Sequence, residues 1–235
     1  MAKQRCAFSP EVFLSTIGVD REMMSFRKGQ SIFAQGDAAD AVFVIQSGRV
    51  RLSARSQGGK EATLDILGDE DFVGKDSIAG LLVRTTSASA LTDCKLLRIE
   101  KKAMMLALAQ EVTLSNKFCA YVLARNVRYR QDLVDQRCNP SEKRLARILL
   151  LLAHFDGQSS PETISARVNH ETLAEMVGTT RSRTCYFMKK FKDAGFIDYD
   201  LKSQQIRVRR SLLAFYCEAT RRSGKCTKSY DSLCR

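Results

Sequence analysis

The stretch VGTTRSRTCYFMKKFKDAGF, Val177–Phe196, decides how this chain is read. Gly178 supplies a turn, and Thr179 or Thr180 can cap the helix that follows. Within that helix Phe187, Met188 and Phe191 recur at helical spacing and form a buried stripe. Ser182, Tyr186 and Lys189 then fall on the opposite face, flanked by Arg181, Arg183 and Lys190. Upstream, NHETLAEM reads as a first helix capped by Asn169, with Leu173 and Val177 facing the core. Two helices joined by a glycine turn make a helix-turn-helix. Beyond Gly195, FIDYD and QQIRVRR read as two wing strands joined by a polar turn.

Such a crowded cationic tip suits the major groove of a duplex. Arg181 can present its fork to guanine O6 and N7. Thr180, Arg183 and Lys189 can hold phosphates, which sets register without reading sequence. The candidate contacts to double-stranded DNA are therefore Thr180, Arg181, Ser182, Arg183, Tyr186 and Lys189, with Asn169 and His170 at the start of the first helix. Cys185 lies near the same cationic tip, where the helix dipole and Arg181 favour a thiolate, and is the redox candidate.

The charge distribution agrees. The 235 residues carry a formal charge of +12. Residues 1–138 hold 20 basic and 16 acidic side chains, and the shorter stretch 139–235 holds 18 and 10. An anionic partner is thus expected at the C-terminal part. With 44% hydrophobic residues the chain can bury a core. No apolar run approaches the ~18 residues that span a bilayer, so no membrane partner is expected. MAKQRCAFSPEVF lacks the unbroken apolar segment of a signal peptide, which points to a cytoplasmic protein.

Eight cysteines, at 6, 94, 119, 138, 185, 217, 226 and 234, show no pair with two intervening residues. Only two histidines accompany them, so free thiols are expected rather than a metal site. No catalytic triad or paired acid–base constellation of known spacing can be assembled, and an enzyme is not expected. GDEDFVGKD, residues 68–76, is a decoy: five residues separate its glycines, and Asp76 follows Lys75 where a phosphate-binding loop needs Ser or Thr.

From Ser25 to about Ile99, glycines at 29, 36, 48, 58, 59, 68, 74 and 80 separate short β-prone runs such as AVFVIQ, RVRLSA and EATLDIL. That spacing predicts hairpins of a roll or sandwich. In RVRLSARS, Val50, Leu52 and Ala54 are expected to point inward, and Arg49, Arg51, Ser53 and Arg55 outward.

FRKGQSIFAQGDAADAVFVIQSGRV resembles the opening of a cyclic-nucleotide-binding β-roll of the CRP/FNR family, and the likeness continues through EDFVGKDSIAGLLVRTTSASAL, where that family keeps its phosphate cassette. TLAEMVGTTRSR, with KRLAR before it and GFIDY after it, is similar to the family's winged helix. The resemblance spans about Ser25 to Ala214. It implies an α+β fold: an N-terminal, jelly-roll-like β-roll sensor (1–110), a long central dimerisation helix (111–138), a winged helix-turn-helix (139–221) and a basic tail (222–235). It implies a homodimeric transcription regulator, acting as activator or repressor on a palindromic operator, with RNA polymerase as a partner. The effector candidates it gives are Gly74, Lys75, Arg84 and Thr85, beside a helix start over Asp76–Leu82.

Two departures matter. Cyclic-nucleotide binders carry Gly-Glu where this chain has Gly74-Lys75, and a lysine cannot accept the ribose hydroxyl. The base-contacting pair would fall on Tyr129 and Arg130, where cyclic-AMP binders have hydroxyl residues. A cyclic nucleotide bound in the usual way is therefore not expected; the cassette is either vestigial or holds a different anion drawn by Lys75 and Arg84 together. The alternative function is a cyclic-nucleotide or other anionic small-molecule sensor, a regulatory subunit whose output is not DNA binding. Family members with an iron–sulfur cluster need several N-terminal cysteines, and here only Cys6 lies there. Haem sensors use Cys or His of the β-roll, which has no histidine. No cofactor is expected. On the recognition helix, cyclic-AMP-responsive members carry Arg-Glu and a second arginine; only Arg181 matches, with Ser182 and Tyr186 at the other two positions, so a different operator follows.

Lys102 to Gln136 holds neither glycine nor proline. Lys102–Gln110 is expected as a short helix and Glu111–Gln136 as a long one of roughly 39 Å. The apolar residues of the long helix, Val112, Leu114, Phe118, Cys119, Val122, Leu123, Val127, Leu133 and Val134, exceed one face. One side can cover the β-roll while another meets a second copy. Asn139-Pro140 then breaks the chain as a hinge, with Asn139 capping a new helix, SEKRLARILLLLAHF.

Overall fold

The apolar run AVFVIQS can sit only where both faces of a strand are covered. In the computed structural model, which describes residues 21–59, 61–153, 162–164, 168–200 and 205–222, it forms β3 (Ala41–Ser47). Ala41, Phe43 and Ile45 point into one cluster and Val42 and Val44 into another, and all five are buried.

The first cluster fills the inside of a roll. One antiparallel sheet has the order β1-β8-β3-β6 and the other β2-β7-β4-β5. The strands are β1 (Arg21–Phe26), β2 (Ser31–Phe33), β4 (Val50–Arg55), β5 (Glu61–Leu67), β6 (Phe72–Val73), β7 (Ser87–Ala90) and β8 (Cys94–Glu100). Between them Phe33, Val50, Leu67, Val73, Ala88 and Leu96 close the core. A short 3-10 helix, Lys75–Ala79, links β6 toward β7. The second cluster lies outside the first sheet. There Phe72, Leu97 and Ile99 pack against Met104 and Ala107 of α1 (Lys101–Gln110) and Leu114 and Phe118 of α2 (Val112–Cys138). Phe72 meets Phe118 edge-on, ring centroids 5.2 Å apart.

One sequence expectation needs correction. The alternation predicted for β4 breaks between Leu52 and Ser53, where the register against β5 shifts from Leu52↔Asp65 to Ser53↔Thr63. Leu64 is the extra residue of this β-bulge and is left exposed, while Ser53 turns inward and Leu52 is only half-buried.

Contacts divide the chain into two units, residues 1–132 and 133–235. The boundary lies within α2 rather than at Asn139-Pro140. The last turn of α2 belongs with the second unit because Asp135, buried, pairs with buried Arg147 at 3.8 Å. Pro140, not Asn139, precedes the first turn of α3 (Ser141–Leu152); the Asn139 side chain donates to Asp135 and accepts from Lys143 at 3.3 Å instead. The second unit continues with α4 (His170–Val177), α5 (Arg181–Asp193) and α6 (Arg210–Arg222) and a sheet of order β10-β11-β9. Its strands are β9 (Glu162–Ile164), β10 (Ile197–Asp200) and β11 (Gln205–Val208). The wing hairpin is as expected, whereas β9 and α6 were not anticipated. The expected polar turn of the wing, the basic tail beyond Arg222 and the N-terminal segment with Cys6 lie outside the described residues.

Candidate nucleic-acid interface and effector cassette

The helix-turn-helix is built by local chemistry. Asn169 Oδ1 accepts from Thr172 N at 2.7 Å and starts α4. Gly178 ends it at φ 70°. Thr179 N donates to Ala174 O at 2.9 Å and Gly178 N to Glu175 O at 3.2 Å, the paired bonds of a left-handed helix stop. A Cβ at Gly178 would also crowd the Gln136 side chain at 3.3 Å. Two residues on, Thr180 Oγ1 accepts from Arg183 N at 3.3 Å and opens α5.

Helix α5 then sorts its faces. Thr184, Phe187, Met188 and Phe191 are buried, and Phe191 and Phe196 pack on Phe215 of α6. Thr180, Arg181, Ser182, Arg183, Tyr186 and Lys189 are exposed together. The first turn holds no carboxylate. Cations at the positive end of a helix dipole are self-repelling, so this tip is electrostatically incomplete without an anion. Lys190, by contrast, is engaged: its Nζ lies 3.0 Å from Glu142 of α3, and that hydrogen bond raises its pKa.

Asn169 is exposed but its side-chain oxygen is committed to the cap. His170 is half-buried between the two helices, with Nδ1 3.1 Å from Cys185 Sγ. Burial, aided by the Arg181 charge, lowers the imidazole below its ordinary range, so it is neutral near pH 7. Cys94, Cys119, Cys138 and Cys185 are free thiols, and no metal-holding cluster occurs among the described residues.

The cassette in the β-roll is organised differently from the expectation that Lys75 and Arg84 act together. Gly74 adopts φ 74° directly before the short helix, and a Cβ there would collide with the Arg84 guanidinium. Arg84 is buried: Nη1 donates to Gly74 O at 3.0 Å and Nη2 to Ala41 O at 2.6 Å, and the group stacks on Phe33 at 4.4 Å. Both terminal nitrogens thus serve the backbone.

Gly74, Lys75 and Thr85 instead line a cavity of about 430 Å³ that Arg84 does not line. The expected helix start over Asp76–Leu82 is correspondingly shorter, since the 3-10 helix ends at Ala79. Of the expected base-contacting positions, Tyr129 sits with its ring 5.8 Å from Lys75 Nζ, while Arg130 is exposed.

A buried ionic cluster beside the cavity went unread in the sequence. Arg125 of α2 reaches Asp71 at 2.7 Å and Asp65 at 3.4 Å. Arg128 reaches Asp65 at 3.1 Å, and Tyr121 donates to Asp71 at 3.2 Å. The spacing of Phe118, Tyr121, Val122, Arg125 and Arg128 was the available sign, since residues three and four apart share a helix face. Burial pushes the Asp65 carboxyl up, against the pull of Arg128 and Arg125, and pushes the Tyr129 phenol up to about 12.

Comparison with known proteins places this architecture. The cyclic nucleotide-binding domain family matches residues 23–111, and the Crp-like helix-turn-helix domain family matches residues 143–221. A cyclic AMP receptor protein of Thermus thermophilus is 30% identical over 172 residues, covering 73% of this chain and 77% of that protein. A CRP-like cAMP-activated global transcriptional regulator of Mycobacterium tuberculosis is 29% identical over 184 residues, 77% of this chain and 81% of that one. The structure of FixK2 from Bradyrhizobium japonicum shares the fold, with a TM-score of 0.73 at 16% identity over 83% of this chain and 97% of that one.

A β-roll joined to a winged helix-turn-helix is the architecture of a DNA-binding transcriptional regulator. This chain belongs to the CRP/FNR family of such regulators. Among the described residues no helix is long and apolar enough to cross a membrane.

Proposed function

We propose that this regulator acts as a homodimer on a palindromic operator, one α5 tip in each of two major grooves about 34 Å apart. The observation that carries the reading is the α5 tip itself, with Arg181, Ser182, Arg183, Tyr186 and Lys189 exposed on one side while Phe187, Met188 and Phe191 are buried on the other. Arg181 reads a guanine, and Ser182 stands where a glutamate would have selected cytosine. Pairing through α2 is supported by exposed Leu123 and Val127, which with Ala120 follow the four-and-three spacing of a helix–helix seam on the side away from buried Leu114 and Phe118.

Selection of binding sites from random duplexes tests this. The expected product is an inverted repeat whose centres lie one helical turn apart. Arg181→Ala should lower affinity for it by roughly 10- to 100-fold, about 1–3 kcal/mol, while leaving affinity for random duplex little changed. A selection that yields no enriched sequence, or an Arg181→Ala protein of unaltered preference, refutes it.

A further inference from the structure

The exposed face of α5 has two edges. Arg183, Tyr186 and Lys190 stand three and then four residues apart, so they run along one of them. That edge meets α3. Glu142, in the first turn of α3, puts a carboxylate oxygen 3.0 Å from Lys190 Nζ. The Lys190 side chain stays 53% exposed and that of Glu142 22%. The pair therefore sits on the border of the DNA-reading face, with its cation toward solvent and its anion mostly covered.

Lys190 differs in this from the cations beside it. Among the described residues no carboxylate pairs with Arg181, Arg183 or Lys189. Those three meet a phosphate as they stand. Lys190 must first leave its carboxylate, and the carboxylate left behind repels the duplex. Glu142 is held in place for this. Its helix is rooted in the core by fully buried Leu145, Ala146 and Leu149, and the N-terminal end of a helix favours an anion.

We propose that Glu142 withholds Lys190 from the phosphate backbone and so holds down affinity for duplex of any sequence. The inference rests on α5 being the duplex-facing helix and makes Glu142 a specificity residue that touches no base. Phosphate contacts strengthen operator and random duplex alike, because they carry no sequence information. Random sites vastly outnumber operators, so a cation kept off the backbone leaves a larger share of the discrimination to Arg181 and its neighbours.

The test is fluorescence anisotropy of the full chain with the selected operator and with random duplex, from about 50 to about 200 mM salt. Glu142→Gln should bind both duplexes more tightly by a similar factor, about three- to tenfold at the low-salt end. The slope of log affinity against log salt should steepen by about 0.9, the share of one further phosphate. Glu142→Gln with Lys190→Gln should return both slopes to the wild-type value, since the freed ammonium makes the additional contact. An unmoved slope in Glu142→Gln overturns the proposal, as does a slope that stays steep in the double variant. Weaker operator binding by Glu142→Gln without a steeper slope also overturns it, and makes the pair a strap that aims α5. The random-duplex arm separates the two readings. A failed operator selection beside a steeper Glu142→Gln slope sinks the operator reading and leaves this one standing. A clear operator preference beside an unmoved slope sinks this one alone, and a wild type that binds neither duplex sinks both.

Discussion

Replacing Arg125 by methionine probes the cluster that joins the β-roll to α2. Arg125 is 7% exposed and Asp65 is 3% exposed. Removing one partner of a buried ion pair costs about 3–5 kcal/mol, because the remaining charge stays buried without its counter-charge. Here the lower end applies. Asp65 keeps Arg128 at 3.1 Å and the Ile66 amide at 2.9 Å, and Asp71 keeps the Tyr121 hydroxyl. A loss of about 3 kcal/mol, with a slope of about 2 kcal/mol per molar urea, lowers the unfolding midpoint by roughly 1.5 M. The pH dependence has a definite sign. Burial already lifts the Asp65 carboxyl, and without Arg125 it rises further above its unfolded value of about 4. The folded state then binds more protons than the unfolded one, so stability falls as pH rises through the folded value. The deficit against wild type should therefore be larger at pH 8 than at pH 5. Urea titration followed by circular dichroism, at one fixed protomer concentration, reads both quantities. A deficit under about 1 kcal/mol, or one that widens on acidification, would refute the reasoning.

Leu123→Glu with Val127→Glu should convert a dimer to monomers in light scattering at micromolar protein, since each buried side chain of this size contributes about 1.5–3 kcal/mol per protomer; a double variant that remains dimeric excludes α2 as the seam. Hydrogen peroxide should oxidise the Cys185 thiol to a sulfenic acid, one peroxide oxygen joining sulfur and the other leaving as water. With His170 Nδ1 only 3.1 Å from Sγ, the added oxygen must displace α4 from α5, and operator affinity should fall at least about tenfold, reversibly with dithiothreitol. Cys185→Ser should not respond, and wild-type affinity unmoved by peroxide would dispose of the idea.

How legible these features were depends on the range of the interactions that make them. The helix-turn-helix is written in neighbouring residues: Asn169 and Thr180 cap within three positions, Gly178 stops a helix, and the apolar stripe repeats every turn. Such signals survive without tertiary context. Strand β9 has three residues and exists because β11 pairs with it across some forty positions, which no local pattern announces. The bulge at Leu64 is likewise settled by the partner strand. At the cassette the residues are legible but their directions are not. Arg84 looks like a ligand-binding arginine in any linear reading, and only the fold reveals Gly74 O and Ala41 O at its fingertips. Arg125 and Asp65 stand sixty residues apart: helical spacing marks the face that carries Arg125, but nothing local names Asp65 as its partner.

The glycine turn of the DNA-reading module is also fastened from behind. Gln136, in the last turn of α2, donates to Met176 O at 3.1 Å, and Arg144 bridges Gln136 O at 2.9 Å and Gly178 O at 3.5 Å. The reading tip therefore has no swivel of its own. Any roll of that terminal turn about its axis steers Thr180 and Arg181 with it, so that aim, rather than grip, is what a change at Gln136 would spoil.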